Sequence, residues 1–225
     1  MKTTAIISVT LLVSCLGASV GFSDSGSKGS SGPSSGSKGK SGNLQLKLEA
    51  QMEPLIVAPA TSPIAPDAEG EAKYRKQIQK GTIKTERFEA RVKIPFPSPA
   101  LGIIDQASAQ NADIQILLSS ATTPTVAYAS CALDLSEIET ELEDGVTKTY
   151  AEYKVDVRRE LRNSSYRQRQ IHGICDVAPA TVSIEAGTPA PVENDIVTAV
   201  LVIAPVPPAI VPTLTPIVAG TVELD

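Results

Sequence analysis

The stretch LDLSEIETELEDGVTKTYAEYKVDV constrains the fold more than any other part of the chain. Its centre, Asp144-Gly145, is a residue pair that accepts the positive φ angles of a type I′ turn, and alternating runs flank it on both sides. Closing that turn pairs Glu143 with Val146 and sets Glu141 opposite Lys148. Ile138, Thr140 and Leu142 then share a face with Thr147, Thr149 and Ala151. Leu133 and Leu135 fall on the opposite parity from Ile138, which calls for a β-bulge near Ser136 or a change of strand there.

The same period-2 pattern recurs along the chain. Leu44, Leu46 and Leu48 alternate with Gln45, Lys47 and Glu49; Phe88, Ala90, Val92 and Ile94 alternate with charged residues up to Pro95; Tyr153, Val155 and Val157 alternate with Lys154, Asp156 and Arg158. Each run reads as a strand with one dry and one wet face. Residues 114–118, 126–133, 182–184 and 196–204 read as further strands, the last buried on both faces. PDAEGEAKYRKQIQKG fits a helix from an Asp67 cap to a Gly81 stop, but Ala72, Tyr74 and Ile78 fit a strand equally well. GIIDQASAQNAD reads as one short helix or a loop.

From Ile196 to Ala219 the chain carries no charge, yet prolines at 205, 207, 208, 212 and 216 would break a membrane helix repeatedly. This segment reads instead as a buried strand, a Pro-rich crossing over 205–216, and a short last strand ending at Leu224. With 4% aromatic residues and no Trp, the core must be built from Val, Ile, Leu and Ala. Short alternating strands with little helix pattern point to an all-β fold over 43–225, expected as an antiparallel β-sandwich of immunoglobulin-like architecture.

The N-terminal segments read differently. Residues 1–22 hold a one-lysine n-region and an apolar run from Ala5 to Val13, too short to span a bilayer. The run leads into Leu12-Val13-Ser14-Cys15, which resembles the bacterial lipobox: an aliphatic residue, two small residues, then Cys. The resemblance covers four residues and implies that Cys15 is acylated and becomes the mature N-terminus. The alternative is ordinary cleavage further on, for example after Ser23. Residues 23–42, SDSGSKGSSGPSSGSKGKSG, have nothing apolar to bury and read as a flexible tether. The chain has three cysteines, so acylation or removal of Cys15 leaves Cys131 and Cys175 as an even pair in an oxidising compartment. A disulfide between them would close a long loop and stabilise by about 4 kcal/mol in the chain-entropy model; the alternative is two buried free thiols.

Charge narrows the partners. The chain has net charge −5, and from Asn43 onward 16 basic stand against 24 acidic residues. An acidic body repels phosphates at long range, so nucleic acid is not expected as a partner. Arg158, Arg159, Arg162, Arg167 and Arg169 cluster around RNSSYRQRQ, read as a hairpin tip turning at Asn163-Ser164-Ser165. They form either a contact for an anionic polymer or protein, or a solvated loop with a few cross-strand pairs. Asn163-Ser164-Ser165 is also a glycosylation sequon. Glu137, Glu139, Glu141 and Glu143 form a period-2 acidic ladder; its spacing matches no calcium loop and reads as a solvated edge face. His172, the only histidine, lies in QIHGIC without a nucleophile-elbow pattern. One His and two thiols tied up in a disulfide cannot make a zinc site, and no phosphate or dinucleotide loop is present, so no metal and no cofactor is expected.

The expectation is therefore an exported protein without a catalytic set, anchored to the membrane by lipid. It would sit in the outer membrane or periplasm or at the cell surface, or be secreted, and serve as a structural or binding module. The competing expectation is an extracytoplasmic hydrolase working with carboxylates alone.

Overall fold

The computed structural model describes residues 44–56, 62–162, 165–177, 189–205 and 211–225. The leader, Cys15, the tether, the 182–184 strand and the turn residues 163–164 lie outside these. Among the described residues eleven strands run β1 (Leu44–Pro54), β2 (Glu69–Gln79), β3 (Thr82–Pro95), β4 (Ile114–Ser120), β5 (Thr123–Glu143), β6 (Val146–Arg162), β7 (Ser165–His172), β8 (Ile174–Val177), β9 (Ile196–Ile203), β10 (Thr213–Thr221) and β11 (Glu223–Leu224). Among the described residues the α-helix is α1 (Gln106–Asn111), which starts at an Asp105–Ser108 capping box.

All pairings between these strands are antiparallel. The order β6-β3-β2-β1-β10-β9-β4-β5 returns to β6 through the β5–β6 pairing. The sheet thus closes into an eight-stranded barrel. This corrects the expected sandwich: the class is all-β and antiparallel, but one sheet curls onto itself instead of two sheets stacking. Both architectures need strands with one dry face, so the alternation is the same in each.

The long hairpin forms in the expected register, with Glu143 opposite Val146, Glu141 opposite Lys148, and a bulge between Leu135 and Glu137. Asp144 and Gly145 take φ of 49° and 79°. Residues 69–79 form strand β2, not a helix. Ala72 and Tyr74 are buried between polar neighbours, and Lys80-Gly81 makes a tight turn into β3 at φ of 51° and 75°. Pro216 lies inside β10 at a register shift, where a bulge spares the missing N–H; the proline-rich crossing is therefore shorter than 205–216.

Beyond the Asp134–Lys154 pair, β5 and β6 part. Ala129–Ala132 pairs with β8, and Asp156–Arg162 pairs with β7. The bent β7–β8 segment fills the wedge between the two diverging strands. Gly173 makes the bend at φ 64°, and its N–H donates to the Asp134 carboxylate at 2.7 Å. Cys131 and Cys175 stand directly opposite each other with sulfurs 2.06 Å apart, the expected pair, which ties β8 to the barrel wall. A close approach also occurs at Gly220, where a Cβ would lie 1.9 Å from the Gln51 carbonyl oxygen.

Apolar side chains fill the interior. Tyr153, Phe88, Ile94, Ile114, Ile116, Leu118 and Ile217 are among its fully buried side chains. Small residues meet in one row, Ala50–Ala72–Ala90, between the bulky rows Leu48–Tyr74–Phe88 and Met52–Gly70–Val92–Tyr153, an alternation of sizes that fills a barrel of this diameter. At one end α1 covers the core, its buried Ala109 accepting a hydrogen bond from the Tyr153 hydroxyl at 3.0 Å.

Candidate functional site

Three groups of polar side chains stand out, and the parity of the strands decides where each one points. The first lies inside. Glu86 is two residues before Phe88 on β3, and Arg159 is two after Val157 on β6, so both face the barrel interior with Tyr74. Glu86 is wholly buried and Arg159 is 7% exposed. The Tyr74 hydroxyl donates to Glu86, and Arg159 Nη1 lies 3.7 Å from Glu86 Oε2. Beside this group the Tyr128 hydroxyl donates to Asp195 at 2.6 Å, while the same carboxylate oxygen accepts the Val192 N–H at 2.9 Å. This end of the barrel is closed by a polar plug, opposite the end covered by α1. Arg159 thereby leaves the expected surface cluster. Glu86 was missed in the sequence, although extending the Phe88–Ile94 parity by one step would have found it.

Burial and the adjacent carboxylates push the Tyr74 and Tyr128 hydroxyls far up, and burial alone raises Tyr153 to about 12. A tyrosine whose pKa is raised by folding contributes stability that is present below the unfolded value near 10 and lost as pH rises beyond it.

The second group is the acidic ladder on the outer face. It is no free edge: β5 is bonded to β6 along its length there. Lys93 on β3 reaches Glu139 at 2.9 Å and also pairs with Glu141. Burial opposes the Lys93 charge, but the bonds to Glu141 and Glu139 outweigh it and raise its pKa. Glu152, also buried, joins from β6 and pairs with Lys154. Carboxylate oxygens of Glu137, Glu139 and Glu152 lie within 4.8 Å of one another. Two lysines already serve the cluster, which makes it an ion-pair network in its own right. The Lys93 hydrogen bond lowers the Glu139 pKa. For Glu71, burial works upward, but the Lys73 bond and the charges of Arg91 and Lys73 win and lower it.

These shifts predict losses of stability on both sides of neutrality. Glu71 and Glu139, with depressed pKa, contribute stability above their ordinary value of 4.5 that disappears as pH falls through the folded values. The three tyrosines impose the alkaline limit. Thermal melts should be flat from pH 6 to 9, fall below about pH 4.5, and fall again above about pH 10. A rise in tyrosinate absorbance worth more than two of the five tyrosines, well before alkaline unfolding, would contradict the three buried hydroxyls.

The third group is the arginine cluster. Arg158 pairs in register with Arg169, Glu160 with Arg167, and Arg162 with Ser165, so β6 and β7 form the expected hairpin. Arg158, Arg167 and Arg169 share the outer face, and Arg158 forms an ion pair with Glu160. His172 is exposed on β7 opposite Asp156, whose carboxylate is held at both oxygens by Arg87, at 2.8 and 2.6 Å.

Chemically, the molecule is a closed, side-chain-filled antiparallel barrel with a charged exterior. Comparison with protein-family models, with curated proteins and with solved structures finds no match to the chain.

Proposed function

We propose that the chain is an exported, lipid-anchored, non-enzymatic binding module that meets an anionic partner through the outer face of its β6–β7 hairpin. The observation that carries this reading is the filled interior. A barrel whose lumen is occupied by Phe88, Tyr153, Ile114 and their neighbours directs recognition to its outer wall. That wall is polar: Glu49, Glu71, Lys73, Arg87, Arg91 and Asp156 form ion pairs across β1, β2, β3 and β6. Apolar inside and charged outside is the reverse of a membrane-spanning barrel, which fits a domain held off the membrane by a tether. A hydrolase working with two carboxylates needs one raised pKa; among the described residues the carboxylates with a definite shift, Glu71, Asp105 and Glu139, are all lowered.

Two measurements test the proposal. The intact mass of the membrane fraction should show diacylglycerol on an N-terminal Cys15, and inhibiting the lipoprotein signal peptidase should leave the lipid in place with residues 1–14 still attached; a lipid-free N-terminus beyond Cys15 removes the anchor. The triple variant Arg162→Gln/Arg167→Gln/Arg169→Gln should weaken binding of dextran sulfate about tenfold in low salt, because exposed charge contacts are screened by ions. Unchanged binding removes the hairpin as the contact.

A further inference from the structure

The strand registers put five cations in one line across the outer wall. Lys47 on β1 faces Arg75 on β2, Arg75 faces Arg87 on β3, Arg87 faces Arg158 on β6, and Arg158 faces Arg169 on β7. With strands about 4.8 Å apart, the line spans about 19 Å at right angles to the strands. Like charges directly opposite one another destabilise a sheet, and this row contains four such pairs in succession.

The neighbouring rows on the same face are built differently. In one, Glu49 faces Lys73, which faces Glu89. In the next, Glu71 faces Arg91, and in the one beyond, Lys93 stands between Glu69 and Glu152. Those rows mix signs along their length, although each also holds one like-charge pair, Glu89–Asp156, Arg91–Lys154 or Glu152–Glu137. Folding alone gives no reason for a single-sign row. Part of its charge is neutralised within the protein: Arg87 by Asp156, Arg158 by Glu160, and Lys47 by Asp225 at 3.5 Å. Arg75 and Arg169 are exposed and make no ion pair among the described residues. On the other flank, Gln45, Gln77 and Thr85 form a neutral polar row. These three, with Arg75, Arg87 and Arg158, line an open depression of about 190 Å³.

We propose that this row is a binding track for a linear acidic polysaccharide, carrying about one carboxylate or sulfate per sugar, laid across the strands from β1 to β7. It extends the anion contact proposed above from the hairpin onto the barrel wall. A sugar repeat is of the same order as the strand spacing, so successive acidic groups meet successive strands. The neutral amides and hydroxyl beside the row suit sugar hydroxyls. Arginine binds carboxylate and sulfate through paired N–H donors. The acidic remainder of the body disfavours a denser polyanion such as nucleic acid.

The test uses the purified full chain with dextran sulfate, polygalacturonate and duplex DNA as probes, titrated at two salt concentrations. Lys47→Gln/Arg75→Gln alters two exposed side chains on strands remote from the hairpin, and its melting temperature checks that folding is intact. This variant should bind the better of the two polysaccharides about tenfold more weakly, with a shallower salt dependence. Dextran sulfate against polygalacturonate distinguishes sulfate from carboxylate. Wild-type affinity in this variant, with loss in the hairpin triple variant, overturns the track and leaves the hairpin contact standing. Loss in Lys47→Gln/Arg75→Gln with none in the hairpin variant sustains the wall site from β1 to β6, overturns its extension to Arg169 on β7 and removes the hairpin reading. DNA bound as tightly as either polysaccharide overturns the polysaccharide assignment, and no binding of either polymer overturns both proposals.

Discussion

Arg159→Met should destabilise the protein by about 3–5 kcal/mol, the cost of leaving a buried carboxylate without its counter-charge. Glu86 is wholly buried in the polar plug, and Arg159 is the cation facing it. Methionine fills much the same volume, so a cavity contributes little and the loss reports on charge. Removing the charge from both partners in Glu86→Gln/Arg159→Met should recover more than half of it, because a neutral amide still accepts the Tyr74 hydroxyl. Urea denaturation measures both variants, with the slope against denaturant held as a check on two-state behaviour. A loss below about 1 kcal/mol in Arg159→Met would mean that water reaches Glu86 and the plug is open.

The second large effect is expected at the seam between β5 and β6. Gly173→Ala should cost at least about 3 kcal/mol, since two penalties coincide there. Its φ of 64° is left-handed, and an added Cβ would lie 2.2 Å from the Ala132 carbonyl oxygen and 3.1 Å from a Val155 methyl. Both obstacles are barrel wall, so relief requires β7–β8 to lift out of the wedge. Gly81→Ala separates the two penalties. It has a similar φ of 75° with nothing within 4 Å, and should cost only the backbone strain of about 1 kcal/mol. Equal losses at the two positions would show that the wedge yields freely. If β7–β8 does lift, Gly173→Ala should also raise the exchange rate of amides in β7, because those groups then lose their β6 partners.

Much of this architecture was legible from local pattern. Asp144-Gly145 set a turn geometry and therefore a register, and that register carried the bulge near Ser136 with it. Phe88 to Ile94 and Tyr153 to Val157 declared which side of each strand is dry. Cysteine counting paired Cys131 with Cys175. Segment 69–79 was undecided because Ala72, Tyr74 and Ile78 satisfy both periods, and its pairing with Leu48, Ala50 and Phe88 resolved it as strand. The arginines around Asn163 were grouped by closeness in sequence, while parity separates them: Arg159 turns in toward Glu86, and Arg158 turns out.

The row of Lys47, Arg75, Arg87, Arg158 and Arg169 was invisible for a different reason. Its members come from five strands that lie up to 122 residues apart, and no linear spacing encodes their alignment. The same holds for closure. Sandwich and barrel ask the same alternation of every strand, and the choice rests on β1 meeting β10 at Glu53–Ala219 and Pro54–Val218, and on β5 returning to β6. What the amino-acid order determined by itself was the local part: turns, strand faces and the disulfide partners, all set by backbone sterics and side-chain polarity within a few residues. What only the tertiary structure decided was strand order, and with it closure, the buried plug and the cationic row, because those depend on contacts whose free energy appears only once distant strands have met.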